Sequence, residues 1–263
     1  MQCLRALSCL LAVSNVLAED LNKTIAPQRP SPRVINGYLI TNEKLGGFLI
    51  AMRYDDEFIC GGSLIKESIV LTAAHCFIRR YNKSKWTAEG GISNLTESGV
   101  QRYIKKFAWP IQFRRKTMDM DVALVLLNAP MVGIGIDTIP LCSHTVSTGT
   151  TLQVSGWGLI YPRTAEPENL LRAVAVPVID RNKCRQAYRP KVLITENMIC
   201  ASVLGKKDAC MYDSGGPLVY QNEVCGIVSF GIGCASDKYP GVYTDVYKVA
   251  PFIEKTMKKF LQG

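Results

Sequence analysis

Residues 208–217 read Asp208-Ala209-Cys210-Met211-Tyr212-Asp213-Ser214-Gly215-Gly216-Pro217. Ser214 is a candidate nucleophile. A serine hydroxyl is weak in that role at neutral pH and needs a base within hydrogen-bond reach. The chain has two histidines. His75 lies in Leu71-Thr72-Ala73-Ala74-His75-Cys76, and His144 in Leu141-Cys142-Ser143-His144, which reads as a surface loop. The base must in turn be oriented by a carboxylate that fixes its tautomer. Asp121 heads the apolar run Val122-Ala123-Leu124-Val125-Leu126-Leu127. Asp119 is the close competitor and lacks an apolar run directly behind it.

These stretches resemble the nucleophile, histidine and aspartate motifs of the chymotrypsin/trypsin family of serine proteases. The order His75, Asp121, Ser214 is that family's order and differs from those of the subtilisin and α/β-hydrolase triads. The resemblance implies that Ser214 attacks, His75 takes its proton and Asp121 orients His75. It covers residues 34–263, and its wording is most similar to insect secreted trypsin-like proteases of gut, haemolymph or seminal fluid. The implied fold is all-β: two packed six-stranded antiparallel Greek-key barrels with a C-terminal helix. Residues near 128–148 link the barrels, and the active site lies in the cleft between them. The chain's own pattern agrees. Short apolar runs at 47–52, 68–72, 122–127, 151–155 and 224–230 do not alternate with helices, so the sheet is predicted antiparallel. Residues 249–261 read as a helix with Pro251 in its first turn and an apolar stripe at 249, 253, 257 and 260–261.

In the resembling family the residue six before the serine lies at the base of the primary pocket, and here it is Asp208. A buried carboxylate there selects Arg or Lys. Alone, Asp208 would read as an ordinary loop carboxylate. Gly231 and Gly241 match the pocket walls, and Phe230 replaces the usual Trp. Ser229 to Gly231 offer backbone for a substrate to add as a strand. Tyr212 departs from the family, which has Gly there. The backbone N–H groups of Tyr212 and Ser214 would form the oxyanion hole. A φ above zero at Tyr212 costs about 1–2 kcal/mol. A flipped peptide loses a donor worth roughly 10²–10³ in turnover. A third outcome is steric exclusion of bulky substrates and inhibitors. The alternative class is therefore a non-catalytic homologue that binds a partner protein.

Arg5, the apolar stretch 6–17 and Val16-Leu17-Ala18 read as a signal peptide over 1–18. A membrane anchor is the alternative, but the stretch is short of the about 20 residues a span needs. The chain is therefore expected to be secreted and extracellular, where disulfides persist. Cys3 and Cys9 leave with the signal, so eight of the ten cysteines remain. The resemblance implies Cys60–Cys76, Cys184–Cys200 and Cys210–Cys234. A further family bridge is absent, its positions being Leu152 and Tyr220. Cys142 and Cys225 are left over and are expected to pair, two free or buried thiols being the alternative. Arg33-Val34-Ile35-Asn36-Gly37 resembles an activation junction. Residues 19–33 would be a pro-segment, and 34–263 the protease domain. Cleavage after Arg33, by a trypsin-like protease or by the enzyme itself, would free a Val34 ammonium to pair with Asp213. A buried ammonium needs such a partner.

The net charge is +9, and removing residues 1–33, with four basic and two acidic residues, leaves +7 on 230 residues. Arg79-Arg80, Lys83, Lys85, Lys105-Lys106 and Arg114-Arg115-Lys116 supply much of it. That reads as a solvated face; acidic substrates or sulfated glycans are the partners it would suit. No nucleic-acid module or metal-ligand spacing is visible. No cofactor, metal or membrane is expected, and the partners are protein or peptide substrates with Arg or Lys at the cleavage site. Between Trp86 and Tyr103 the acidic residues are Glu89 and Glu97, so the calcium loop of some family members is not expected. Asn82 and Asn94 open sequons and are candidate glycosylation sites. The protein is expected to be a monomer.

Overall fold

The computed structural model describes residues 37–158, 169–206, 208–209 and 213–262. Residues 1–36, with the expected signal, pro-segment, Arg33 and Val34, lie outside this set, as do Cys210 and Tyr212. Among the described residues every strand–strand pairing is antiparallel. Strands β2 (Leu49–Tyr54), β3 (Glu57–Lys66), β4 (Ile69–Thr72), β5 (Trp86–Gly90), β6 (Val100–Ala108) and β7 (Ala123–Leu127) close a first barrel in the order β2-β3-β4-β7-β6-β5. A second is made by β8 (Thr151–Gly156), β9 (Arg172–Ile179), β10 (Met198–Ala201), β11 (Pro217–Tyr220), β12 (Glu223–Phe230) and β13 (Gly241–Asp245). Its order is β8-β9-β10-β13-β12-β11, and β11 pairs back to β8. The short β1 (Tyr38–Leu39) adds to β9. Closure leaves no long unpaired edge among the described strands.

Turn chemistry sets the register of two hairpins. Asp55 and Asp56, with φ of 51° and 66°, join β2 to β3, and Gln221 and Asn222, with φ of 46° and 62°, join β11 to β12. Two successive left-handed residues suit the right-handed twist of a two-residue hairpin, and Asp and Asn tolerate them. One apolar cluster runs through both barrels, from Ile50, Leu71 and Val125 in the first to Val154, Val176 and Ile227 in the second. The barrels are therefore packed on each other, not merely tethered. Burying a large aliphatic side chain contributes about 1.5–3 kcal/mol. The connection between β7 and β8 is fastened to the second barrel by the Cys142–Cys225 disulfide and by a bridge between Leu141 and Val224.

Among the described residues three α-helices complete the fold: α1 (Asn42–Leu45), α2 (Arg181–Tyr188) and α3 (Val246–Gln262). The sequence places the start of α3 three residues too late and Pro251 too early in it. The helix begins at Val246 because Asp245 accepts the Lys248 N–H at 3.3 Å, as an N-cap does. Pro251 is then an interior residue and cannot donate to the carbonyl of Tyr247, which lies on the exposed side. The buried stripe is Val246, Val249, Ile253 and Thr256, with Met257 and Phe260 packed beside it, while Leu261 is exposed. No helix among the described residues is long and apolar enough to cross a membrane.

Candidate active site

β4 and β7 bring His75 and Asp121 together. Their register pairs Thr72 with Ala123. The chain leaving β4 reaches His75 three residues on, and the chain entering β7 passes Asp121 two residues before. His75 sits on the 3₁₀ turn Ala74–Phe77, which the Cys60–Cys76 disulfide ties to β3. Phe77 props this turn from below, stacked on Phe107 at 4.5 Å and tilted against Trp86 at 4.8 Å. Asp121 is fully buried, and its carboxylate makes three hydrogen bonds among the described residues. Oδ1 takes the His75 backbone N–H at 2.9 Å. Oδ2 bonds His75 Nδ1 at 2.7 Å and takes the Ser229 hydroxyl at 2.6 Å. Thr244 Oγ1 donates to the Asp121 carbonyl at 2.8 Å. Strand β12 of the second barrel thus holds the Asp121 carboxylate of the first, and β13 holds its backbone carbonyl. Burial lowers the pKa of His75, but the charge and hydrogen bond of Asp121 outweigh it, and the net shift is upward.

The Ser214 loop is stitched across the cleft. Gly61 of β3 donates to the Ser214 carbonyl at 2.8 Å, and Gly215 donates to Val228 of β12 at 2.9 Å. Gly215 has φ of 76°, and a Cβ there would lie 2.2 Å from Thr72 Oγ1 and 2.6 Å from the Gly61 carbonyl. Only glycine lets the loop approach the His75 turn so closely. Asp213 is buried, and its Oδ1 accepts the Gly158 N–H at 2.8 Å. Ser214 also lines a cavity of about 360 Å³ with Ser229, Phe230, Gly231 and Gly241. Asp208 lies buried behind it. A Cβ at Gly241 would come within 2.4 Å of Asp208 Oδ1, so the carboxylate abuts the wall directly. Burial pushes the Asp208 carboxyl up to about 7, against backbone hydrogen bonds from Ala235 and Ala209, and the charge of Asp213 adds to the rise. Asp208 Oδ1 has no hydrogen-bond partner among the described residues. Tyr188 braces the wall through its hydroxyl on the Pro240 carbonyl at 2.6 Å and an edge contact with Phe230.

The competing residues lie elsewhere. Asp119 accepts from Thr195 Oγ1 at 2.6 Å and Asn197 Nδ2 at 3.0 Å. His144 is exposed beside Tyr220 and Glu223. Cys184–Cys200 is formed, Cys142 pairs with Cys225, and Cys234 is disulfide-bonded, its expected partner Cys210 lying outside the described residues. Glu89 pairs with Arg53 at 2.9 Å and accepts the Gly99 N–H, while Glu97 accepts from Ser93 and Asn94. Sequence reading missed the Ser229 and Thr244 hydroxyls as supports of Asp121. Their signal was available: each is a hydroxyl inside a largely buried strand, where it must find an internal partner.

Comparison with known proteins agrees with this architecture. The trypsin family model matches residues 36–253. The chain is similar to seminase of Drosophila melanogaster, 58% identical over 92% of this chain and 88% of seminase. It is similar to a trypsin of Sarcophaga bullata, 36% identical over 97% of this chain and 99% of that trypsin. Among solved structures it resembles neuropsin, a serine protease expressed in the limbic system of mouse brain. The TM-score is 0.76 at 29% identity, over 84% of this chain and 98% of neuropsin. A family model over most of its length and relatives this similar settle the family: the chain belongs to the trypsin family of serine proteases.

Proposed function

We propose that the chain is the secreted zymogen of a serine endopeptidase that cleaves after Arg or Lys through an acyl-enzyme on Ser214. The observation that carries this reading is the buried Asp121 carboxylate, which binds both the backbone and the ring of His75 and so fixes which ring nitrogen carries the proton. With Nδ1 donating to Asp121, Nε2 is free to accept the Ser214 proton and later return it to the leaving amine. Tyr212 and Ser214 N–H groups stabilise the oxyanion. Asp208 binds the substrate cation, and Ser229 to Gly231 pair with the substrate backbone. Cleavage after Arg33 frees Val34, whose ammonium pairs with Asp213. Secretion is supported by the disulfides and the leader-like N-terminus, and Asn82, which is exposed, and Asn94 are the glycosylation sites. The test is to cleave the full chain after Arg33 with an added protease and assay small arginyl and lysyl amides. Activity should appear with cleavage, and Arg33→Gln should stay inert. An uncleaved Arg33→Gln protein as active as the processed parent would refute the zymogen.

The Asp208 carboxyl gives this reading a pH signature. Its folded pKa of about 7 lies above the ordinary carboxyl value of 3.8. Its contribution to stability is therefore full at low pH and is lost as pH rises through about 7. A bound cation favours the charged form and reverses that loss. Affinity for an amidine probe such as benzamidine is expected to fall about tenfold per pH unit below about 7, as each binding event must then release a proton. Calorimetry checks both affinity and proton release. A pH-independent affinity between about pH 5 and 8 would show that the Asp208 carboxyl is already charged before the probe binds, and would overturn its raised pKa.

A second reading, a non-catalytic homologue that binds a partner protein, is favoured by one residue, Tyr212. Tyr212→Gly separates the two. If Tyr212 costs backbone strain, turnover of a small arginyl ester rises by up to roughly 10²–10³. If it acts by bulk alone, small esters are unchanged and protein cleavage and inhibitor binding speed up. Activity in the variant, with none in the processed parent, establishes the second reading.

A further inference from the structure

Beside His75, on the first barrel, lies a second cavity of about 560 Å³. Three arginines from two separate loops wall it: Arg79, Arg80 and Arg115. Tyr54, Ile78 and Met118 give it an apolar floor. Arg79 and Arg80 directly follow the turn that carries His75, and their backbone is fixed. Arg79 has φ of 65°, the Arg80 N–H bonds the Phe77 carbonyl at 2.9 Å, and the Arg80 carbonyl accepts from Trp86 Nε1 at 2.8 Å. Arg115 stands in a tight loop closed by the Thr117 and Met118 N–H groups on the Arg114 carbonyl, at 3.0 and 2.8 Å. Among the described residues none of these three guanidinium groups makes an ion pair. Carboxylates of the surrounding loops are engaged elsewhere: Asp55 by Lys85 at 2.8 Å, Asp119 by Thr195 and Asn197, Asp121 by His75 and Ser229. Three cations without an ion pair lining one cleft focus a positive field there.

We propose that Arg79, Arg80 and Arg115 form a specificity wall that selects peptide substrates carrying Asp or Glu next to the scissile bond. The proposal rests on the reading of the chain as an endopeptidase directed to Arg and Lys, and adds a determinant outside its primary pocket. An extended substrate advances about 3.3 Å per residue, so a wall that includes His75 meets residues adjacent to the bond being cut. The planar guanidinium suits a carboxylate bidentately, and the apolar floor suits the methylene stem of Glu. The wall touches the catalytic imidazole, so its ligand is part of the substrate and not a remote polyanion.

The test uses two labelled peptides with one Arg, flanked on both sides by Glu or by Gln, titrated against the Ser214→Ala chain after an added protease has cleaved it at Arg33. The Glu peptide should bind about five- to tenfold more tightly at about 50 mM salt, and the difference should collapse near 0.5 M. Replacing Arg79, Arg80 and Arg115 together by Ala should bring the Glu peptide to the affinity of its Gln counterpart. Replacing Lys83, Lys105 and Lys106 by Ala removes the same charge away from the cavity and should keep the preference. Equal affinities for the two peptides, or an equal loss in the lysine variant, would overturn the wall. With Ser214 restored, the same ratio should appear in kcat/KM. A binding preference without hydrolysis by the processed chain would sink the peptidase reading and leave the wall standing.

Discussion

Asp121→Asn is expected to lower kcat about 10⁴-fold without unfolding the protein. Asp121 Oδ1 faces the His75 backbone N–H, so an asparagine must keep its oxygen there. Its amide nitrogen then takes the Oδ2 place, opposite His75 Nδ1 and the Ser229 hydroxyl. The hydroxyl can rotate and accept. The ring can satisfy the amide only by accepting at Nδ1, which moves its proton to Nε2, where it can no longer take one from Ser214. The pH profile separates this from a structural loss. Asp121 raises the His75 pKa against burial, so removing its charge should move the acidic limb of kcat/KM to lower pH. A variant with an unmoved limb and a smaller active fraction would mean that Asp121 merely supports the fold.

Asp208→Ser is expected to cost arginyl substrates about 3–5 kcal/mol in kcat/KM, or 10²- to 10⁴-fold, because the substrate cation would be buried without its partner. Leucyl and phenylalanyl substrates, which carry no charge into the pocket, should change less than about tenfold. The variant should also lose the pH dependence of amidine binding near pH 7 that the raised Asp208 carboxyl confers. An equal loss on all substrates, read from matched ester series, would place Asp208 away from the pocket base.

The antiparallel fold was legible in the motif resemblance and in short apolar runs that do not alternate with helices, and the structure adds the turns between them. Asp55-Asp56 and Gln221-Asn222 turn the hairpins, and the apolar runs between such turns are strands that need two covered faces. The start of α3 was harder to place. A 3.6-residue apolar period does not mark a start, and the mark that does, the Asp245 side chain on the Lys248 N–H, lies in what reads as the last residue of a strand. The site divides in the same way. Ser214, His75 and Asp121 stand in motifs, so sequence names them. Ser229 and Thr244 act through hydroxyls whose partner is about a hundred residues away in the chain, at separations of 108 and 123. Only the packing of one barrel on the other reveals that contact. The arginine wall is of the second kind too. Arg79-Arg80 and Arg115 are 35 residues apart and read separately as solvated charge, and their meaning arises from where β4 ends and β7 begins.

The central claim is that cleavage after Arg33 yields an enzyme that acylates Ser214 and prefers a guanidinium. One measurement tests all of it: titrating the processed chain with a chromogenic guanidinobenzoate ester and weighing the product. The account predicts a burst of about one equivalent of leaving group, slow turnover after it and a single acyl group on Ser214, with none in Ser214→Ala or in the uncleaved chain. A correctly processed chain that gives no burst and gains no mass would contradict it.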